Sequence, residues 1–230
     1  VGIGEEFTTV KEGFEYAVAN DRPCLIKPGT YDLVAEGISG NGYIVPKKVV
    51  GYGATLLCHL PNKNWSLSPL KIAYNSEGAE IYGLTVICSN CRYCIHDEMG
   101  YQTKDFYHNV YKDLTLIHQS EPDDILLAPQ CIGGGFGVKG YIEIDNCIFD
   151  AKMREVSYHS NSATTAQHTG DCILKCTNSY FAHTFTSGSI GTTEEHMNIS
   201  YISNCSVASA IDVVPQANSK NIAWNNEVRS

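Results

Sequence analysis

Five short segments of this chain share one form, and that recurrence limits the available folds more than any other feature. They are EIYGLTVIC (80–88), VYKDLTLIH (110–118), YIEIDNCIFD (141–150), ILKCTNSYFA (173–182) and ISYISNCSVA (199–208). Each alternates apolar and polar residues, reaches Gly, Asp or Asn, and starts a second short alternating piece. Aligned on that central position, Gly83, Asp113, Asn146, Asn178 and Asn204 are separated by 30, 33, 32 and 26 residues. Leu84, Leu114, Cys147, Ser179 and Cys205 follow them, and Val86, Leu116, Phe149, Phe181 and Val207 lie two further on.

Strand-like pieces at a near-constant period, with spacers of variable length, describe a coil. Alternation places every second side chain on one face. Stacking equivalent strands at about 4.8 Å pairs each backbone group with the coil above and below. Like residues then form columns, and Asn at the bend tolerates the left-handed backbone and can stack its amide. An antiparallel sandwich would instead place tight hairpins every 8–12 residues or so, and that rhythm is missing. The fold expected is all-β: a single-stranded parallel β-helix of roughly seven coils.

The segment 7–21 is the one convincing helix. Thr9 can cap it, Glu12 sits three residues on, and Val10, Phe14, Ala17 and Val18 form an apolar face suited to covering the end of the first coil. At the other end SKNIAWNNEVRS reads as a further coil begun. With no initiator Met, this suggests a piece of a longer chain, occupied by one β-helix domain over 1–230 with coils from about residue 22.

Composition narrows the partners. A net charge of −9 argues against nucleic acid, which needs clustered Lys and Arg. No apolar run is long enough for a membrane helix, so membrane insertion is not expected. Ten cysteines leave the redox compartment open. The densest run, CSNCRYCIHDEMG (88–100), has thiols and an imidazole that suit zinc. Because they spread along a bend and a strand, convergence on one ion is not expected. Neither metal nor cofactor is assigned, and the cysteines read as small apolar core residues.

A binding site is expected where the strands leave the coil. His96, Asp97 and Glu98 follow the last apolar alternation, and stacking places CIGGGFG (131–137) and VSYHSNS (156–162) beside them. Glycines between His96 and His159 would open a shallow trough flanked by His96, Asp97, Glu98, Tyr158, His159 and Asn161. Such a trough suits a sugar. Asp97 and Glu98 are neighbours on an extended chain and point apart, which is poor geometry for an acid–base pair.

The order of FTTVKEGFEYA, LIKPGTYDL, KKVVGYGATLLC and GAEIYGLTVICSN resembles the pectin-lyase-like family of right-handed β-helices, most specifically over about residues 6–90. RYCIHDEMG and the Asn-Cys strands look most like β-helical tail-associated proteins of phages and prophages. The resemblance implies a right-handed helix with an N-terminal cap, a virion or extracellular location, a homotrimer as one form of assembly, and a cell-surface glycan or receptor as partner. It also admits a polysaccharide lyase or glycoside hydrolase, or a purely structural spacer shaft. The motifs of pectin methylesterases, pectate lyases and polygalacturonases are not intact here, so no catalytic residue is carried over.

Overall fold

The computed structural model describes residues 1–72, 78–98, 107–121, 129–136, 140–160, 172–187, 198–208, 210–213 and 219–229. Three parallel sheets dominate them. Sheet A takes Cys24–Leu25, Lys48–Val50, Glu80–Tyr82, Tyr107–Lys112, Gly140–Asp145, Cys172–Thr177, Asn198–Ser203 and Ser219–Trp224. Sheet B takes Gly29–Asp32, Ala54–Asn64, Thr85–Cys91, Thr115–His118, Ile148–Ala151, Tyr180–Phe181, Ser206–Val207 and Glu227–Val228. Sheet C takes Tyr43–Ile44, Leu70–Lys71, Tyr93–Glu98, Gln130–Phe136 and Arg154–Ser160. For five turns the chain visits A, B and C and returns to A one place along; in the next two a separate two-stranded parallel sheet of Thr184–Ser187 and Ala210–Val213 takes the third place. This is the path of a parallel β-strand solenoid, with eight turns through A and B.

Register follows the sequence alignment. Val49, Ile81, Tyr111, Ile144, Cys176 and Ile202 pile up inside sheet A, each 0% exposed. Leu56, Val86, Leu116, Phe149, Phe181 and Val207 do the same inside sheet B, where the rings of Phe149 and Phe181 stack at 5.0 Å. Leu70, Ile95, Ile132 and Val156 form the column of sheet C. The expected column Leu84, Leu114, Cys147, Ser179 and Cys205 is buried at the A–B corner. There each carbonyl accepts the N–H of the residue that begins the next B strand.

That corner depends on one backbone conformation. Gly83 has φ 72, and Asp113, Asn146, Asn178, Asn204 and Asn225 have φ between 53 and 57, the left-handed region that Asn and Asp tolerate best. Their side chains tie successive coils. Asn146 Nδ2 donates to Asp113 Oδ1 at 2.7 Å, and Asn178 Nδ2 donates to Asp145 Oδ1 at 2.8 Å.

The helix is shorter than the expected 7–21, running Val10–Ala19. Thr9 Oγ1 caps it by accepting from Glu12 N at 3.3 Å, and Asp21, at φ 51, turns the chain away. Val10, Phe14 and Ala17 join the core, whereas Val18 is 47% exposed and does not.

The corner gives a pH test. Hydrogen bonds from Tyr52 and Asn146 hold the Asp113 carboxyl below its ordinary range. Its contribution is therefore present above the unfolded-state value of about 4 and lost as pH falls through the lower folded value. Urea unfolding should show wild type ahead of Asp113→Asn at about pH 5, by less than about 1 kcal/mol for so exposed a group. The gap should close towards about pH 2. A gap independent of pH would contradict this role.

Candidate functional site

The stacking expected around the glycine strand is present, but its open space lies on the inside. Asp97 pairs with Gly134 and Gly134 with Tyr158, so the three share one column. Asp97 and Tyr158 are 0% and 1% exposed and therefore cannot flank a surface trough. A Cβ on Gly134 would fall 2.0 Å from the Asp97 carbonyl oxygen and 2.9 Å from the Tyr158 ring. The glycine thus clears a path for Tyr158 to cross a whole coil. His96 is also buried, against the edge of Tyr93 at 5.3 Å, and the Tyr93 ring fills the space above Gly133. Glu98 and His159 both pair with Gly135 through their backbones. Their side chains, and the whole of Asn161, lie outside the described residues. His96 therefore does not open on a surface trough, and neither do Asp97 and Tyr158.

Asp97 and Tyr158 build an interior polar knot. Asp97 Oδ2 accepts from Tyr158 at 2.7 Å and from Tyr111 at 2.8 Å, and Asn109 Nδ2 donates to both carboxylate oxygens at 2.8 Å. Asn109 Oδ1 in turn accepts the Ala79 N–H at 2.8 Å. Burial pushes the Asp97 carboxyl up, and the three donors pull it part of the way back. No solvent reaches this carboxylate. Its chemistry is structural, joining sheet C to sheet A across the lumen.

The cysteines differ more from expectation. Cys58, Cys88, His118 and Ala151 form one inward column of sheet B. Cys88 and Cys91 sit on one strand at a spacing that should place them on opposite faces. Asn90, at φ 58 between them, reverses the alternation, and both are 0% exposed. Cys94 Sγ then approaches Cys88 Sγ to 3.2 Å, and Cys91 Sγ lies 3.8 Å from His118 Nε2. Cys58 lies near enough to Cys91, and Cys131 to Cys94, for each pair to shift the other's titration, while the Cys131 thiol itself bonds the Leu116 carbonyl at 3.1 Å. Bonds from Cys58 and Cys88 pull Cys91 well below the usual thiol range. Burial opposes the same effect at Cys94, but bonds from Cys131 and Cys88 bring it to about 5. Hydrogen bonds and charge from Cys91 and Cys94 outweigh burial to raise His118. A sequence signal for this grouping exists: the 30-residue step from Gly83 to Asp113 also separates Cys58, Cys88 and His118.

On the outside, sheet A carries a shallow depression of about 370 Å³ lined by Glu80, Tyr82, His108, Val110, Lys112, Glu143 and Asp145. Its acids are engaged: Glu80 with Lys48 at 2.9 Å, Asp145 with Lys112 at 3.1 Å, Glu143 with Lys175 at 3.5 Å. The Lys48 hydrogen bond holds Glu80 low. At Asp145 partial burial is outweighed by Asn178, Thr177 and Lys112, which hold it low too. Beside the depression His108 leans on the Tyr141 ring at 5.0 Å. Period two explains why this row was missed. The pattern that marks Ile81, Tyr111 and Ile144 as inward makes their neighbours outward, without saying which outward residues form a site.

Fold and surface together define a parallel β-strand solenoid with a polar and aromatic outer face and a thiol-rich interior. No protein-family model, curated protein or solved structure matches the chain.

The interior knot predicts a stability effect. Asp97→Ala leaves three buried donors without an acceptor and should lower stability by about 3 kcal/mol or more. Tyr158→Phe removes one charged hydrogen bond and should cost about 2 kcal/mol. Chemical denaturation would measure both. Near-neutral results would place Asp97 outside the core.

Proposed function

We propose that this chain is the carbohydrate- or receptor-binding β-helix of a phage or prophage tail-associated protein, right-handed and pectin-lyase-like, acting on a virion or otherwise outside the cell. The reading moves the binding face from the strand exit of sheet C to the outer face of sheet A. The observation that carries it is the depression between Glu80, Tyr82, His108, Lys112, Glu143 and Asp145. Paired carboxylates and lysines offer hydroxyl-sized donors and acceptors at strand spacing, and aromatic side chains beside them supply apolar surface. A rigid parallel sheet repeats that pattern along the axis, as a repeating glycan does.

The same geometry disfavours hydrolysis. A general acid acting on a glycosidic bond needs a raised pKa. Here Glu80 and Asp145 are held low by their partners, and Asp97, which is raised, is sealed in the core. A spacer shaft would need no such depression.

The test is retention of the purified chain on a panel of neutral and cationic cell-surface polysaccharides, with reducing ends and unsaturated products followed in parallel. Retention without product is expected. Tyr141→Ala and His108→Ala should each weaken binding on the order of tenfold, with unchanged unfolding midpoints. Product formation would favour the enzyme instead, and retention indifferent to both substitutions would move the site off this face.

A further inference from the structure

Where sheets B and C meet, five thiols and an imidazole face the interior. We infer that this corner is a metal site, in which Cys88, Cys91 and His118 hold a divalent cation of the zinc type and Cys58 or Cys94 supplies the fourth ligand.

The geometry points to an ion in three ways. One ligand atom from each of Cys88, Cys91 and His118 lies within 4.8 Å of the other two, and all three residues are buried. Zinc–sulfur bonds of about 2.3 Å and zinc–nitrogen bonds of about 2.0 Å imply a sulfur-to-nitrogen edge of ~3.6 Å around a tetrahedron, and Cys91 Sγ to His118 Nε2 is 3.8 Å. Two further thiols already touch the triad, Cys58 on Cys91 and Cys94 at 3.2 Å from Cys88. The set of soft thiolate and borderline imidazole is the one that zinc prefers over calcium or magnesium.

Packing alone accounts less well for the corner. Cys147 shows what a cysteine that only fills space does: its thiol turns to the carbonyls of Tyr111 and Asp145. At the B–C corner Cys131 and Cys91 also reach carbonyls, those of Leu116 at 3.1 Å and Tyr93 at 3.8 Å, but Cys88 and Cys94 face each other at 3.2 Å and Cys91 faces the His118 imidazole. A histidine is also a poor filler for the column Cys58, Cys88, His118 and Ala151. Its Nε2 bonds the Cys91 carbonyl at 3.0 Å. Binding would exchange that contact for the metal.

Loading is an exchange without redox change. Three metal–sulfur bonds and one metal–nitrogen bond form, and whatever protons the three thiols and the imidazole carry pass to solvent, so affinity falls on acidification. Four protein ligands leave no open position, which makes the site structural rather than catalytic. It would clamp two successive coils through Cys88 and His118, and a third where Cys58 is the fourth ligand, since these belong to consecutive strands of sheet B.

The experiment loads the full chain with Zn²⁺ or Co²⁺ under a phosphine reductant, desalts it and counts metal by mass spectrometry. One ion per chain is expected, with sulfur-to-cobalt charge-transfer absorption and a zinc-edge X-ray absorption shell of three sulfurs and one nitrogen. Cys91→Ser and His118→Asn should each cut retention on the order of tenfold or more, and Cys147→Ser should leave it unchanged. Comparing Cys58→Ser with Cys94→Ser identifies the fourth ligand. The X-ray absorption of wild type decides the matter even where a variant fails to fold. No retained metal in the reduced protein, a shell of oxygen and nitrogen alone, or a Cys88–Cys94 disulfide that persists under reductant would each overturn the site.

Discussion

The left-handed corner between sheets A and B holds the structure in register. Gly83, Asp113, Asn146, Asn178, Asn204 and Asn225 each turn the chain with a positive φ, so the six coils from Glu80 onward enter sheet B at the same rotation. Because side chains alternate with period two, a slip of one residue at any corner would turn Val86, Leu116 or Phe149 out to solvent. The columns in the lumen therefore follow from the corner, and so does the position of everything attached to them. An L-residue with a branched side chain would be strained there, which explains the run of Asn and Asp.

Much of this was legible in the chain. The alignment that put Leu84, Leu114, Cys147, Ser179 and Cys205 in one column needs only the period, and Thr9 announces its helix through capping chemistry. The site was less legible, for two physical reasons. Asp97 looked like the end of an apolar run, yet strand Tyr93–Glu98 continues and keeps its side chain inside. A polar inward residue can be recognised only once Asn109, Tyr111 and Tyr158 are seen to satisfy it. Cys91, expected in the bend before its strand, instead ends strand Thr85–Cys91 and faces inward because Asn90 reverses the alternation. Local parity carries sequence reasoning as far as the next left-handed residue, and no further. Val18 shows the simpler limit: an apolar residue on the edge of a helix face need not be covered.

The interior is correspondingly divided. Towards sheets A and C lies the carboxylate knot of Asp97, Asn109, Tyr111 and Tyr158, and at the B–C corner lies the thiol and imidazole cluster around Cys91. Both join one sheet to another across the lumen. The exterior of sheet A inherits its regularity from the same coils. Lys48 faces Glu80, Lys112 faces Asp145 and Lys175 faces Glu143, so opposite charges meet across three of the steps between its strands. A regularly spaced polar surface follows, and the proposed binding of a repeating ligand rests on it.

The central claim is in-register stacking of like positions, and pairwise distances measure it most directly. Spin-labelled non-canonical residues placed at position 55 and, in turn, at 148, 180, 206 and 227 mark one column of sheet B. Pulsed electron resonance should return separations that grow by about 4.8 Å for each coil added. Separations that fail to increase, or that change by unequal steps, would contradict the stacked coil and everything built on it.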